Sequence, residues 1–197
     1  METRTCSQIG GDLIPEGSRV VFDWDNTLKV YNKETRTITS RVAKKDLKNW
    51  KENRKCELFV ISAIHPTRLN LETLLIEVEK LGLTDIFIKE TDSAEIYPGK
   101  YARKGNVIIC GYDKAEVFLD ICSRLETSEV RNDNVETDPG QYGTGEDEPD
   151  AVHDGLDESV RIDGVDQKRT VLFFDDEEVN ISNFSAIVEG SICYLVK

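Results

Sequence analysis

Apolar positions along the chain form two patterns, short unbroken runs and helical stripes, and the two alternate. Val20-Val21-Phe22, Leu58-Phe59-Val60-Ile61 and Val171-Leu172-Phe173-Phe174 are unbroken, as strands buried on both faces must be. Between them, Val42, Ala43, Leu47 and Trp50 recur at helical spacing through about Arg54. Leu71, Leu74, Leu75, Val78 and Leu81 form a second stripe, opened by Pro66-Thr67 and stopped by Gly82. Val117, Phe118, Ile121, Cys122 and Leu125 form a third, starting from Lys114. Shorter runs, Asp85-Ile86-Phe87-Ile88, Asn106 to Cys110 and Ile192 to Val196, read as strands, and Ile181, Phe184 and Ile187 as a short helix. Leu28 to Thr39, with Asn32-Lys33-Glu34 at its middle, predicts a small hairpin. Residues 89–105, with Pro98-Gly99, read as a loop, and Met1 to Gly17 as a loose leader. Strands separated by helices predict a parallel sheet covered on both faces, a Rossmann-like α/β fold.

Charge changes this picture in one place. The net charge is -13 over 197 residues, yet Glu126 to Asp166 alone holds 14 acidic and 2 basic residues, leaving 24 acidic and 23 basic elsewhere. That tract also carries Pro139-Gly140, Gly143, Gly145 and Pro149, and its few apolar residues do not offset the entropy of ordering it. The expected organisation is a leader over 1–18, a core over 19–125, a flexible acidic insertion over 126–167 and the rest of the core over 168–197. The insertion reads first as a solvated tether and second as a docking arm for a basic protein. Its charge argues against nucleic acid as the main partner.

The five cysteines, Cys6, Cys56, Cys110, Cys122 and Cys193, show no zinc spacing and lie mostly in apolar runs, as free thiols do. The first eighteen residues lack the apolar stretch of a signal peptide, and no run approaches membrane-spanning length. An intracellular, soluble protein of cytoplasm or nucleus is the expectation.

Candidate chemistry sits where the strands end. The first run leads into Asp23 and Asp25, the second into Ser62, the last into Asp175 and Asp176, and right-handed crossovers bring all three ends to one rim, where open α/β sheets bind ligands. Asp23 and Asp25 point the same way if the chain stays extended, a pairing that suits a nucleophile and a general acid. A carboxylate buried at a strand end needs a cation or another partner. Trp24 reads as a core residue and His65, beside Pro66, as a loop residue.

Asp23-Trp24-Asp25-Asn26-Thr27 resembles the first motif of the haloacid dehalogenase superfamily, and Phe59-Val60-Ile61-Ser62 its second. Leu172-Phe173-Phe174-Asp175-Asp176-Glu177-Glu178-Val179-Asn180 resembles the Asp-Asp-x-x-x-Asn form of its last motif. That form is found in the capless subgroup of magnesium-dependent phosphatases, polymerase C-terminal-domain phosphatases and related phosphatases of large insect DNA viruses. Glu95-Ile96-Tyr97-Pro98-Gly99 is also similar to a stretch of the magnesium-dependent phosphatases. The chain departs from them in its acidic insertion and in Trp24. For the third motif, a lysine near the start of a later helix, Lys114 fits best, with Lys100 and Lys104 as competitors.

The resemblance implies Asp23 as nucleophile, Asp25 as general acid and base, and Ser62, the Ala63 amide and Lys114 as ligands of the phosphoryl oxygens. It implies Mg2+ held by Asp23, the Asp25 carbonyl and Asp176, with Asp175 adjacent. Only 36 residues separate Asp25 from Ser62 and 51 separate Ser62 from Lys114, little room for a cap domain, so an open site for a phosphoprotein or other large substrate is expected. The alternative is a catalytically silent scaffold that binds phosphorylated partners or acts in assembly. A receiver domain would carry its acidic pair after the first strand, a cysteine phosphatase needs Cys-x5-Arg and a P-loop protein needs GxxxxGK[ST]; the chain has none of these arrangements.

Overall fold

The computed structural model describes residues 2–111, 113–132 and 169–197. Its elements run β1 (Glu2–Cys6), β2 (Arg19–Phe22), β3 (Lys29–Asn32), β4 (Thr37–Ser40), α1 (Lys44–Glu52), β5 (Glu57–Ser62), α2 (Arg68–Lys80) and α3 (Thr84–Phe87). There follow β6 (Ala94–Tyr97), β7 (Tyr101–Lys104), β8 (Val107–Ile109), α4 (Lys114–Asn132), β9 (Val171–Asp175), α5 (Glu178–Ile187) and β10 (Ile192–Val196). Among the described residues, eight strands form one sheet in the order β1-β10-β9-β2-β5-β8-β7-β6, parallel from β1 to β8 and antiparallel over the last two pairings. The α/β architecture with a mostly parallel central sheet flanked by helices is as the sequence predicts.

Alternation within each unbroken run explains the two layers. Val20, Phe22, Leu58, Val60, Leu172 and Phe174 face one side, against Leu47 and Trp50 of α1 and Leu71, Leu74 and Val78 of α2. Val21, Phe59, Ile61 and Phe173 face the other, against Phe118 and Ile121 of α4 and Ile181 and Phe184 of α5. A strand between two helical layers must be apolar at every position, which is why these runs do not alternate with polar residues. Phe173 and Phe184 stack at 4.0 Å and 10°, fixing α5 over β9.

The structure departs from the sequence expectations in several places. Residues 85–88 do not form a strand: α3 occupies Thr84–Phe87, with Ile86 and Phe87 buried in the same layer as α1 and α2. Its carbonyls find partners without a ladder, since Lys51 Nζ donates to those of Asp85 and Ile86 at 2.9 and 2.6 Å and the Asn106 amide donates to that of Phe87 at 2.9 Å. Residues 89–105 are not all loop, because β6 and β7 pair across the Pro98-Gly99 turn. There the Lys100 amide closes on the Tyr97 carbonyl at 3.0 Å and Gly99 takes φ 72°, a conformation that proline followed by glycine favours. The leader is not loose throughout either: β1 adds to β10 in parallel register from Glu2 opposite Ile192 to Cys6 opposite Val196, and Ile9 and Ile14 are buried.

The predicted hairpin forms as β3 and β4. Helix α4 continues to Asn132, past the last apolar position of its stripe; the rest of the expected acidic insertion lies outside the described residues. The five cysteines are free thiols. No helix of the described residues is long and apolar enough to cross a membrane.

Candidate active site

The parallel sheet has two rims, and the acidic strand ends share one of them. β2 and β9 run in register from Arg19 opposite Val171 to Phe22 opposite Phe174, and the Asp23 amide adds a last bond of 2.8 Å to the Phe174 carbonyl. That pairing sets Asp23 beside Asp175 and Asp176. Their carboxylate oxygens lie within 4.8 Å of one another.

Lys114, the first residue of α4, reaches into this cluster from the opposite layer. Its Nζ donates to Asp23 Oδ1 and to Asp175 Oδ2, each at 2.6 Å, and its side chain is only 4 % exposed. Lys100 and Lys104 belong instead to the β6–β7 hairpin; of the three lysines, Lys114 is the one that meets the aspartates. A lysine at a helix N-terminus opposes the helix dipole, and two carboxylates at contact distance offset that penalty. They also hold the ammonium above its ordinary pKa although burial works the other way.

Three carboxylates against one ammonium leave the cluster short of positive charge. Burial pushes the Asp23 carboxyl up to about 7, Asp175 and Asp176 push in the same direction, and the pull of Lys114 does not cancel them. Asp175 is saturated with donors: Oδ1 accepts from the Glu177 amide at 2.9 Å and from Asn180 Nδ2 at 3.1 Å, while Oδ2 takes Lys114. Asp176 is held more loosely, by a 3.4 Å hydrogen bond from Thr27 Oγ1. An all-oxygen set of this charge fits a hard divalent cation such as Mg2+. Asp23 and Asp176 could hold one, with Asp175 keeping Lys114 in place.

A cleft of about 170 Å³ opens over the cluster, lined by Asp23, Asp25, Ser62, Ala63, Lys114 and Asp176 together with Asn26, Ile64, Glu177 and Asn180. All of the site residues expected from the sequence except Asp175 line it, and Asp175 stands directly behind. Ser62 is buried at the end of β5, where its carbonyl accepts from the Cys110 amide at 3.1 Å, and Ala63 is exposed beside it. His65 is exposed in the loop before α2.

Asp23 and Asp25 do not meet through an extended strand. The chain turns immediately after β2: the Leu28 amide bonds to the Asp23 carbonyl at 3.2 Å and the Lys29 amide to that of Trp24 at 2.7 Å, with Asn26 at φ 58°. Asp25 therefore lies at the mouth, where Lys29 Nζ meets its Oδ1 at 2.6 Å. Trp24 is fully buried in the core and its Nε1 donates to Glu77 Oε2 at 2.8 Å. Arg41 ties down the same turn, donating to the carbonyls of Thr27 and Asn26 at 2.9 and 2.7 Å. Sequence reasoning missed Lys29, Arg41 and Glu77. Only Lys29, four positions after Asp25, left a local trace; the other two arrive from distant elements.

No family model, curated protein or solved structure matches the chain.

Proposed function

We propose that the protein is a magnesium-dependent phosphatase of the haloacid dehalogenase type, acting on a phosphoprotein or other large phosphorylated substrate. The observation that carries this reading is the convergence of Asp23, Lys114, Asp175 and Asp176 from three separate strand and helix ends. A buried carboxylate facing a lysine and two further carboxylates is an arrangement that a phosphoryl group and a divalent cation would complete together. Support also comes from the strand order, which places β2, the carrier of Asp23, between the strands that end in Asp175 and Ser62.

In the proposed reaction, Asp23 attacks phosphorus, the bond to the leaving oxygen breaks, and Asp25 at the cleft mouth gives that oxygen a proton. Asp25 then takes a proton from water, which attacks the phosphoryl group on Asp23 and restores the carboxylate. Lys114 and Ser62 bind phosphoryl oxygens, with the Ala63 amide beside them. When bound by Asp23, Asp176 and the Asp25 carbonyl, magnesium supplies the positive charge that lets a carboxylate approach a phosphate.

The open mouth favours a large substrate. Between Asp25 and Ser62 the chain forms the β3–β4 hairpin and α1, and between Ser62 and Lys114 it forms α2, α3 and the strands β6 to β8; the capless reading supposes that none of these folds as an independent cap. Release of phosphate from an aryl phosphate tests the reading. The wild type turns it over only with Mg2+, and Asp23→Asn lowers the rate at least about a thousandfold. Equal slow turnover by the two proteins overturns the proposal in favour of a silent scaffold for phosphorylated partners.

A further inference from the structure

We infer that Lys29 is a positioning residue for Asp25, held in place by Glu77 and through it by Trp24; the inference rests on the phosphatase reading above. Asp25 belongs to a turn and its side chain is 54 % exposed, so the backbone alone leaves the carboxylate free among rotamers. A proton donor in that state spends little time at the leaving oxygen, and fixing it is worth rate.

The structure supplies the fixing group. Lys29 Nζ touches Asp25 Oδ1 at 2.6 Å and Glu77 Oε2 at 2.9 Å, and the lysine side chain is only 13 % exposed. An exposed ion pair four residues apart would contribute little order, but this lysine is anchored from behind. Glu77 Oε2 also accepts from Trp24 Nε1 at 2.8 Å, and the Trp24 ring, fully buried, lies 5.9 Å from the ammonium. The anchor descends into the core from a residue next to both catalytic aspartates. It also explains why an indole stands between them: Trp24 packs like any large apolar side chain and carries a donor that a phenylalanine lacks.

Leaving-group dependence separates a positioning role from a structural one. A p-nitrophenolate departs without a proton, whereas an alkoxide requires one, so a displaced Asp25 harms kcat/KM for alkyl phosphates selectively. Lys29→Met lowers kcat/KM roughly ten- to a hundredfold for an alkyl phosphate and less than about threefold for p-nitrophenyl phosphate, with KM for each nearly unchanged. Lys29→Arg, which keeps two-sided contact, restores most of the loss, and Glu77→Gln reproduces it in weaker form. If Lys29→Met does not fold, Glu77→Gln carries the same comparison. An active wild type whose variants lose equally on both substrates, or lose nothing, overturns this inference alone. A wild type inactive on both overturns the phosphatase reading and this inference with it.

Discussion

Residue by residue, the opposite rim of the sheet shows how this chain treats charge where no ligand is needed. Glu57 accepts from Arg19 Nε at 2.8 Å and from Arg169 Nη1 at 2.9 Å, so its charge is matched in full. Burial alone would raise its pKa, and the hydrogen bonds from Arg19 and then Arg169 more than reverse that, leaving it below the ordinary value of 4.5. A depressed carboxylate stabilises the fold fully above its unfolded pKa and loses that contribution as pH falls through the folded value. Glu57→Gln therefore costs about 1–3 kcal/mol at neutral pH, and the gap between wild type and variant closes on acidification below pH 4.5. Urea unfolding across that range checks it; a gap of constant size would contradict the assignment. The rim that carries the candidate site has the reverse balance: three aspartates cluster there, and Lys114 pairs with two of them, Asp23 and Asp175. The aspartates and the lysine were legible as single residues because each ends or opens a strongly patterned element. The contacts of Glu57, Glu77 and Arg41 were not, since each depends on which elements become neighbours.

Elements were legible where pattern and punctuation agreed. Helix α2 has both, an apolar stripe and a start at Pro66-Thr67; the structure shows Thr67 Oγ1 accepting from the Asn70 amide at 3.1 Å. Thr67→Ala removes that cap and lowers stability by about 1 kcal/mol, a shift in thermal or urea midpoint that circular dichroism measures. Thr67→Ser, which keeps the hydroxyl, stays near wild type, and a similar loss in both would place the effect elsewhere. By contrast, Asp85-Ile86-Phe87-Ile88 is too short for periodicity to separate strand from helix, and the lysine that satisfies its carbonyls comes from α1. For β6 and β7 the Pro98-Gly99 turn was visible, but the flanking residues carry charges that obscured the strand pattern. Glu95 and Arg103 turn out to face each other across the hairpin at 3.0 Å, so those charges are part of the pairing.

At the scale of the whole molecule, described residues at the two ends of the acidic tract lie on the rim opposite the candidate site. Helix α4 leaves the rim of the candidate site at Lys114, and by Glu126 it has reached Arg19 at the start of β2, with Oε1 at 2.9 Å from the guanidinium. Arg169 pairs with Glu57 on the same far rim. Both roots of the tract thus stand a sheet's depth from the cleft, and loop length itself affects stability weakly. Replacing residues 133–167 with a short Gly/Ser linker leaves turnover of a small aryl phosphate within about twofold of wild type, as a steady-state assay would show; a loss of tenfold or more would tie the tract to the site. The most direct test of the account as a whole is to trap the phosphoryl group on the protein. In Asp25→Asn, p-nitrophenyl phosphate still transfers its phosphoryl group because its leaving group needs no proton, but the water step lacks its base. Mass spectrometry of the quenched, Mg2+-treated variant finds one added phosphoryl group, on Asp23. No adduct, or an adduct on any other residue, would contradict the account.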